Sequence, residues 1–436
     1  MSNGPREVGN RGIAAGAIAN YGALALAAAA GLIVNAIIAW HYSVETLGVF
    51  NQVFAVYIVS SQLGVAGIHL AILSLASREG MDAAVRQEIV ASSLAAVCLT
   101  GTACAIVLSA VAPLIARVLG SPDVANGLRI AALALPLIGL NKCFQAGFTA
   151  TGRLQHVALL QAARAFGLLV AALVCAMLGV AGTALASAFV MAELLVLAVA
   201  VATWRERPKG AGLALSHARA VRMLELAGFG ARSLIGSTLQ ELNIRIDLLV
   251  IGLLLDDRDV GIYSFAGLVA EGMLAAIAVV RNMMVPSLAT ALAAPGRAGL
   301  PALVGTVYRW TYSGAFITAI AAVAGTWLAL RVLYGDTTVY LQAIPLLAIL
   351  LTGTVLVAGI LALDFVFIIG GRPGLHSLVV ALGVAVNIVL NLMLIPYWGL
   401  TGAALATAIA TVVTGIAIVS LAWLRLRVRL VPGPRE

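Results

Sequence analysis

Among the polar and ionisable side chains inside long apolar stretches of this sequence, eleven stand out: Lys142, Arg164, Arg232, Asn243, Arg245, Arg281, Glu193, Glu241, Asp247, Glu271 and Asp364. A guanidinium is always charged and offers paired N–H donors that match a phosphate or carboxylate. A carboxylate in the same surroundings can neutralise a guanidinium or bind a proton or sodium ion. The chemistry on offer is therefore non-covalent: holding an anion and moving a cation. Arg164, Arg232, Arg281, Lys142, Asn243 and Asp247 are the candidates for lining a substrate cavity. Glu193, Glu241, Arg245, Glu271 and Asp364 are the candidates for ion pairing or coupling.

The spacing of these residues narrows their roles. Arg164, beside Gln161, has no acid three or four residues away, so its partner must be another helix, a headgroup or the substrate. Glu193 lies at a similar depth and could be that partner. At 100° per residue, Arg232, Gly236, Gln240, Asn243 and Asp247 fall within about 80° of one another, a polar stripe suited to one wall of a wet cavity. On another face Glu241 precedes Arg245 by four residues, the favourable order for an intrahelical pair. Lys142, which follows Asn141, could enter a cavity or snorkel to the interface, and Asp364 shares that ambiguity.

The elements that hold these residues are membrane helices. Of 436 residues 62% are hydrophobic and only 10% charged, with a mean hydropathy of +1.07. An ordinary soluble domain is about 25% charged. The apolar runs reach the roughly 20 residues needed to cross a hydrocarbon core, and in hydrocarbon such runs must be helical to satisfy their own backbone. Twelve spans are predicted, centred near 26, 60, 102, 139, 168, 192, 239, 274, 319, 355, 386 and 412. The fold class is all-α and polytopic. Connecting loops are short, which leaves no room for an extramembrane catalytic domain and excludes most enzyme classes.

With the N-terminus inside, seventeen Lys and Arg residues fall in cytoplasmic segments, four in outer loops and five within spans. Cytoplasmic loops carry such an excess, so both ends are expected in the cytoplasm. The net charge of +8 is then a topology signal rather than a nucleic-acid signal. The first apolar run is too long for a signal-peptide core and is expected to stay uncleaved. The cysteines Cys98, Cys104, Cys143 and Cys175 lie in spans without metal-binding spacing, and no phosphate-binding GxxxxGK[ST] motif occurs. No cofactor is expected.

The sequence also repeats itself. GVAGTALAS at 179–187 recurs as GLTGAALAT at 399–407, an offset of 220, and TGRLQHVALL at 151–160 aligns with GGRPGLHSLV at 370–379. Two six-helix lobes follow, residues 1–203 and 223–436, joined by a basic cytoplasmic linker at 204–222. An even number of spans per lobe makes the repeats parallel, related by an axis along the membrane normal.

Three stretches carry a family resemblance. Residues 223–292, with IDLLVIGLLL, VGIYS and VPSLA, resemble the seventh and eighth helices of the polysaccharide-transport flippases. NIVLNLMLIPYWGLTGAALAT at 387–407 is similar to the eleventh and twelfth helices, and residues 46–79 to the second. These flippases belong to the multidrug, oligosaccharidyl-lipid and polysaccharide exporter superfamily. The resemblance implies two lobes around a central cavity, and transport of polyprenyl-pyrophosphate-linked glycan from the inner to the outer leaflet of a bacterial cytoplasmic membrane. It also implies a lipid-linked glycan substrate within the bilayer, with polysaccharide polymerase or assembly proteins as candidate partners. A cation-coupled drug exporter of the same superfamily is an alternative, although five intramembrane cations argue against it. A membrane polymerase or ligase should show a long outer loop, which is lacking.

Other motifs are weaker. Asp256, Asp257, Arg258 and Asp259 contain a DxD string, but the topology puts it outside, away from nucleotide sugars. GFGARS at 228–233 lies in an apolar run and suits helix packing better than nucleotide binding. The expected orientation is directly measurable. Asp257→Cys should react with an impermeant thiol reagent added outside, whereas Leu213→Cys should not; the reverse pattern would invert the topology.

Overall fold

The computed structural model describes residues 10–76, 83–204, 217–297, 299–335 and 338–431, which are helical with no strand. The helices are α1 Asn10–His41, α2 Val44–Val65, α3 Ile68–Ala76, α4 Ala83–Val118, α5 Pro122–Ala132, α6 Ala134–Ala150, α7 Leu154–Met177, α8 Ser187–Thr203, α9 His217–Leu254, α10 Asp257–Ala293, α11 Leu300–Tyr334, α12 Ala343–Leu361, α13 Val366–Ile369 and α14 Pro373–Leu421. Every predicted span centre falls in one of them. By length and composition eight helical stretches among the described residues could cross a membrane, or nine if the α5–α6 pair, bent by 46°, is one span. The shortfall from twelve has local causes. α14 holds two spans joined at Gly399, the polar residues of α9 dilute its hydropathy, and the described apolar part of α1 is only Ala25–His41.

The chain forms two compact units, Met1–Thr238 and Leu239–Glu436, with the division inside α9. Residues 205–216 of the expected linker lie outside the described residues.

In the first unit α7 packs against α1 and α8, and α4 against α5 and α6. One core layer gathers Val65, Ile68, Ile72, Val90, Val97 and Cys143, and another gathers Phe144, Phe148, Val157, Leu160 and Val196. Trp204 closes the second layer edge-on to Phe144 and Phe148, at 5.5 and 5.0 Å between ring centroids. The α2–α3 break is a left-handed turn at Ala66 (φ 49°) and Gly67 (φ 68°). Gly230 of α9 lies against the Ala66–Gly67 backbone, with no room for a β-carbon. Of the two glycines in GFGARS, Gly230 thus serves close helix packing, whereas Gly228 has open space around it.

In the second unit α12 is the central helix, touching α10, α11 and α14. Gly353 backs onto Ala408 and Gly415 onto Val357, the small-residue contacts by which helices approach closely in lipid. α11 turns Trp310, Phe316, Ile317, Ile320 and Leu328 outward, as a lipid-facing helix should. Asp256 caps α10, its carboxylate accepting the Asp259 N–H at 2.9 Å. The DxD string is therefore a helix start.

The sequence repeat reappears in local geometry. Gly152 and Gly371 are both left-handed (φ 70° and 73°), and the next residues, Arg153 and Arg372, each donate a backbone bond of 2.8 Å to Phe148 and Phe367 respectively. Gly179 and Gly399, 220 residues apart, are also left-handed (φ 62° and 53°). At Gly399, with ψ −134°, the conformation is open essentially to glycine alone. Gly399→Ala should therefore destabilise the protein by about 1 to 3 kcal/mol. Gly305→Ala, in open space on α11, should leave thermal unfolding in detergent unchanged or slightly raised. Equal melting of both variants would refute the assignment of strain to Gly399.

Candidate functional site

Polar side chains collect at three places within the helical units. The first lies in the unit Met1–Thr238. Arg164 of α7 meets Glu193 of α8 side-on, Nε to Oε1 at 2.8 Å and Nη2 to Oε2 at 3.1 Å. Asn141 of α6 donates to the same Oε2 at 2.7 Å and to the Glu193 carbonyl at 2.9 Å. Glu193 is buried, but the Arg164 side chain keeps 31% of its surface. Tyr57 of α2 stacks on Phe189 at 5.3 Å, and its buried hydroxyl has no hydrogen-bond partner among the described residues. Lys142 turns the other way and donates to Ser61 at 3.3 Å.

The second place is in the unit Leu239–Glu436 and is built on an acid. Asp247 of α9 accepts from Asn391 at 3.0 Å through Oδ1, and from Thr407 at 2.8 Å and Tyr263 at 3.4 Å through Oδ2. Asn387 bonds Asn391 in turn. Asp247 is 7% exposed, and its partners among the described residues are amides and hydroxyls rather than a cation. Asn391 and Thr407 flank the Gly399 kink, so the bend in α14 brings both onto one carboxylate.

The third place pairs Arg281 of α10 with Asp364, Nη1 to Oδ2 at 3.0 Å, where the chain breaks between α12 and α13. The guanidinium also lies over the Phe365 ring at 4.3 Å, and His376 Nε2 stands 3.6 Å from the same carboxylate oxygen. A separate pair joins Arg245 to Glu271 of α10, Nη1 to Oε1 at 2.7 Å. The sequence offers only Glu241 as its partner; the structure adds Glu271, which lies 26 residues on.

The expected polar stripe divides along α9. Gln240 and Asn243 are exposed, whereas Asp247 turns into the unit's interior. The side chain of Arg232 lies outside the described residues.

Asn141, Tyr57, Tyr263, Asn387, Asn391, Thr407 and His376 emerge only from the structure as site members. The repeat contains a signal for them. The 220-residue offset sets Arg164 against Val384 and Glu193 against Val413; conversely it sets Asn391 against Ala171 and Thr407 against Ser187. Each cluster thus belongs to one half, and the other half packs the same positions with small or apolar side chains.

Each unit turns apolar side chains outward and holds charged pairs within, as a polytopic membrane protein requires. Similarities to known proteins support the resemblance read in the sequence. A family described as "Polysaccharide biosynthesis protein" matches residues 95–298. The structure is similar to the lipid II flippase MurJ in an inward closed conformation, at 13% identity and TM-score 0.72, covering 93% of this chain and 87% of that one. It is also similar to an inward-facing multidrug resistance MATE family transporter of the MOP superfamily, at 15% identity and TM-score 0.69, over 93% and 94% of the chains. The MATE multidrug transporter DinF-BH in complex with R6G gives 17% identity and TM-score 0.67, over 96% of each chain. No curated protein matches in sequence. The fold is shared with these transporters.

Removing one member of a buried pair strands the other charge, at a cost of about 3 to 5 kcal/mol. Arg164→Val should therefore lower the amount of folded protein in the membrane. Arg164→Val with Glu193→Val, the pair found at the equivalent positions of the second half, should restore it. A double variant no better than the single one would refute the pairing.

Proposed function

We propose that this protein is a flippase that carries polyprenyl-pyrophosphate-linked oligosaccharide from the inner to the outer leaflet of a bacterial cytoplasmic membrane, for surface polysaccharide biosynthesis. The observation that carries the reading is Arg164. Its equivalent in the repeat is an apolar residue, so a charge at this position is not among the features the two halves share. The side chain also keeps nearly a third of its surface beyond its contacts with Glu193. A guanidinium held on one edge by a carboxylate presents its remaining N–H groups to a second anion. The pyrophosphate of a lipid-linked glycan is an anion of that kind, and its oxygens match the planar donor set. Arg281, with 26% of its side chain exposed, is the second such donor. The match of residues 95–298 to polysaccharide biosynthesis proteins supports a glycan as cargo.

The driving force follows from charge. Moving two negative charges outward across 100 mV, inside negative, contributes about 5 kcal/mol. Asp247 is the group best suited to add a coupling cation. It is a buried carboxylate amid neutral oxygen donors, so a proton or a sodium ion would relieve its desolvation.

A cation-coupled drug exporter is favoured by one observation, the likeness in fold to two multidrug transporters. The two readings differ in cells. Depleting the protein should leave lipid-linked glycan accumulated on the cytoplasmic leaflet and reduce surface polysaccharide, without changing susceptibility to cationic drugs. Arg164→Val/Glu193→Val, present at normal level, should fail to restore the polysaccharide. Full restoration by this variant would exclude Arg164 as a substrate ligand, and drug sensitivity with normal glycan would favour the exporter.

A further inference from the structure

Beyond the last helix, the chain does not trail away. After Leu421 it makes one wide helical turn, Ala422–Leu426, and then reverses at Arg427, a non-glycine residue in the left-handed region (φ 52°). Arg427 N–H returns to the Trp423 carbonyl and Val428 N–H to the Ala422 carbonyl, both at 3.1 Å. Arg297, in the turn after α10, donates from Nη1 to the Leu426 and Arg427 carbonyls at 2.8 and 2.7 Å. Leu426 packs on Gly370, two residues before Arg372. Val428 and Leu430 are 1% and 0% exposed. The segment is a strap tied to the second unit.

Burying alternate residues gives the strap a second face. Because Val428 and Leu430 point inward, Arg427 and Arg429 point outward, joined by Arg425 and by Arg372 from the neighbouring turn; all four are exposed. Exposed Trp423 and Leu424 lie beside them. A cation in the last turn of a helix is often explained by the helix dipole, but that effect dies away within the turn, and Arg427 and Arg429 lie past it. These arginines also differ from Arg164, Arg245 and Arg281, each of which has a carboxylate. After Asp364 the next acid in the sequence is Glu436, and none of the four exposed arginines has an ion pair among the described residues.

We propose that the strap Ala422–Val431 is a docking site for the headgroups of anionic phospholipids. Guanidinium groups fixed at alternate positions meet phosphate, while Trp423 and Leu424 enter the interface beside them, where tryptophan is preferred. The Arg297 clamp holds the spacing constant. The resulting contact is independent of transported cargo.

The test uses the full-length protein extracted from vesicles of mixed phosphatidylcholine and phosphatidylglycerol, with the retained lipid measured by mass spectrometry. The wild type should prefer phosphatidylglycerol, and each Arg→Gln change at 425, 427 or 429 should lower that preference by up to about fivefold. The triple change to lysine should keep most of it. Arg258→Gln with Arg331→Gln, at the opposite ends of α10 and α11, should keep it fully. An unchanged preference in the triple glutamine variant would overturn the proposal. So would equal loss in the triple lysine variant, which would make the effect one of strap shape. Binding of soluble pyrophosphate in detergent, lost in the glutamine variant while lipid preference persists, would reassign the site to a different anion.

Discussion

An ionised side chain in hydrocarbon costs about 2.5 to 3.5 kcal/mol on insertion scales, and this constraint governs how the helices of each unit are paired. Arg164 ties α7 to α8 and, through Asn141, to α6. Arg245 ties α9 to α10, and Arg281 ties α10 to the break after α12. Hydrophobic attraction cannot choose between helices when lipid is as apolar as the helices themselves. Charge pairs and close glycine contacts supply the choice instead.

The same constraint explains why polar groups gather where helices break. A break frees backbone N–H and C=O groups that lipid cannot satisfy. The α12–α13 break carries Asp364. The Gly399 kink brings Asn391 and Thr407 onto Asp247. Irregular backbone and buried polarity therefore coincide. Asp247 stands apart because it has hydrogen bonds but no counter-charge among the described residues.

Much of this was legible from the chain. The helical membrane class followed from composition, and the span centres followed from the length of the apolar runs. The left-handed glycines at the repeat turns were marked by GVAG and GLTG. Glu193 could be named for Arg164 because both lie at mid-depth in adjacent spans. The pair of Arg281 and Asp364 could not, since 83 residues separate them and periodicity describes only one helix at a time. Asn391 and Thr407, sixteen residues apart on α14, carry no sequence signal that joins them to Asp247; the kink at Gly399 brings them to one carboxylate. The break between α2 and α3 was hidden for a related reason, since a single left-handed turn leaves the hydropathy of a span unchanged.

The central claim is that guanidinium groups held inside the bilayer receive the pyrophosphate of a lipid-linked glycan. The most direct measurement uses purified protein in liposomes containing a fluorescent polyprenyl-pyrophosphate oligosaccharide, with the fraction of label reached by an impermeant quencher followed over time. The account predicts rapid exchange between leaflets, accelerated by a potential that drives anions toward the quencher side and competed by unlabelled polyprenyl-pyrophosphate glycan. Exchange no faster than in protein-free liposomes under an imposed potential and cation gradient, in a preparation that moves a cationic dye down the same gradients, would contradict it.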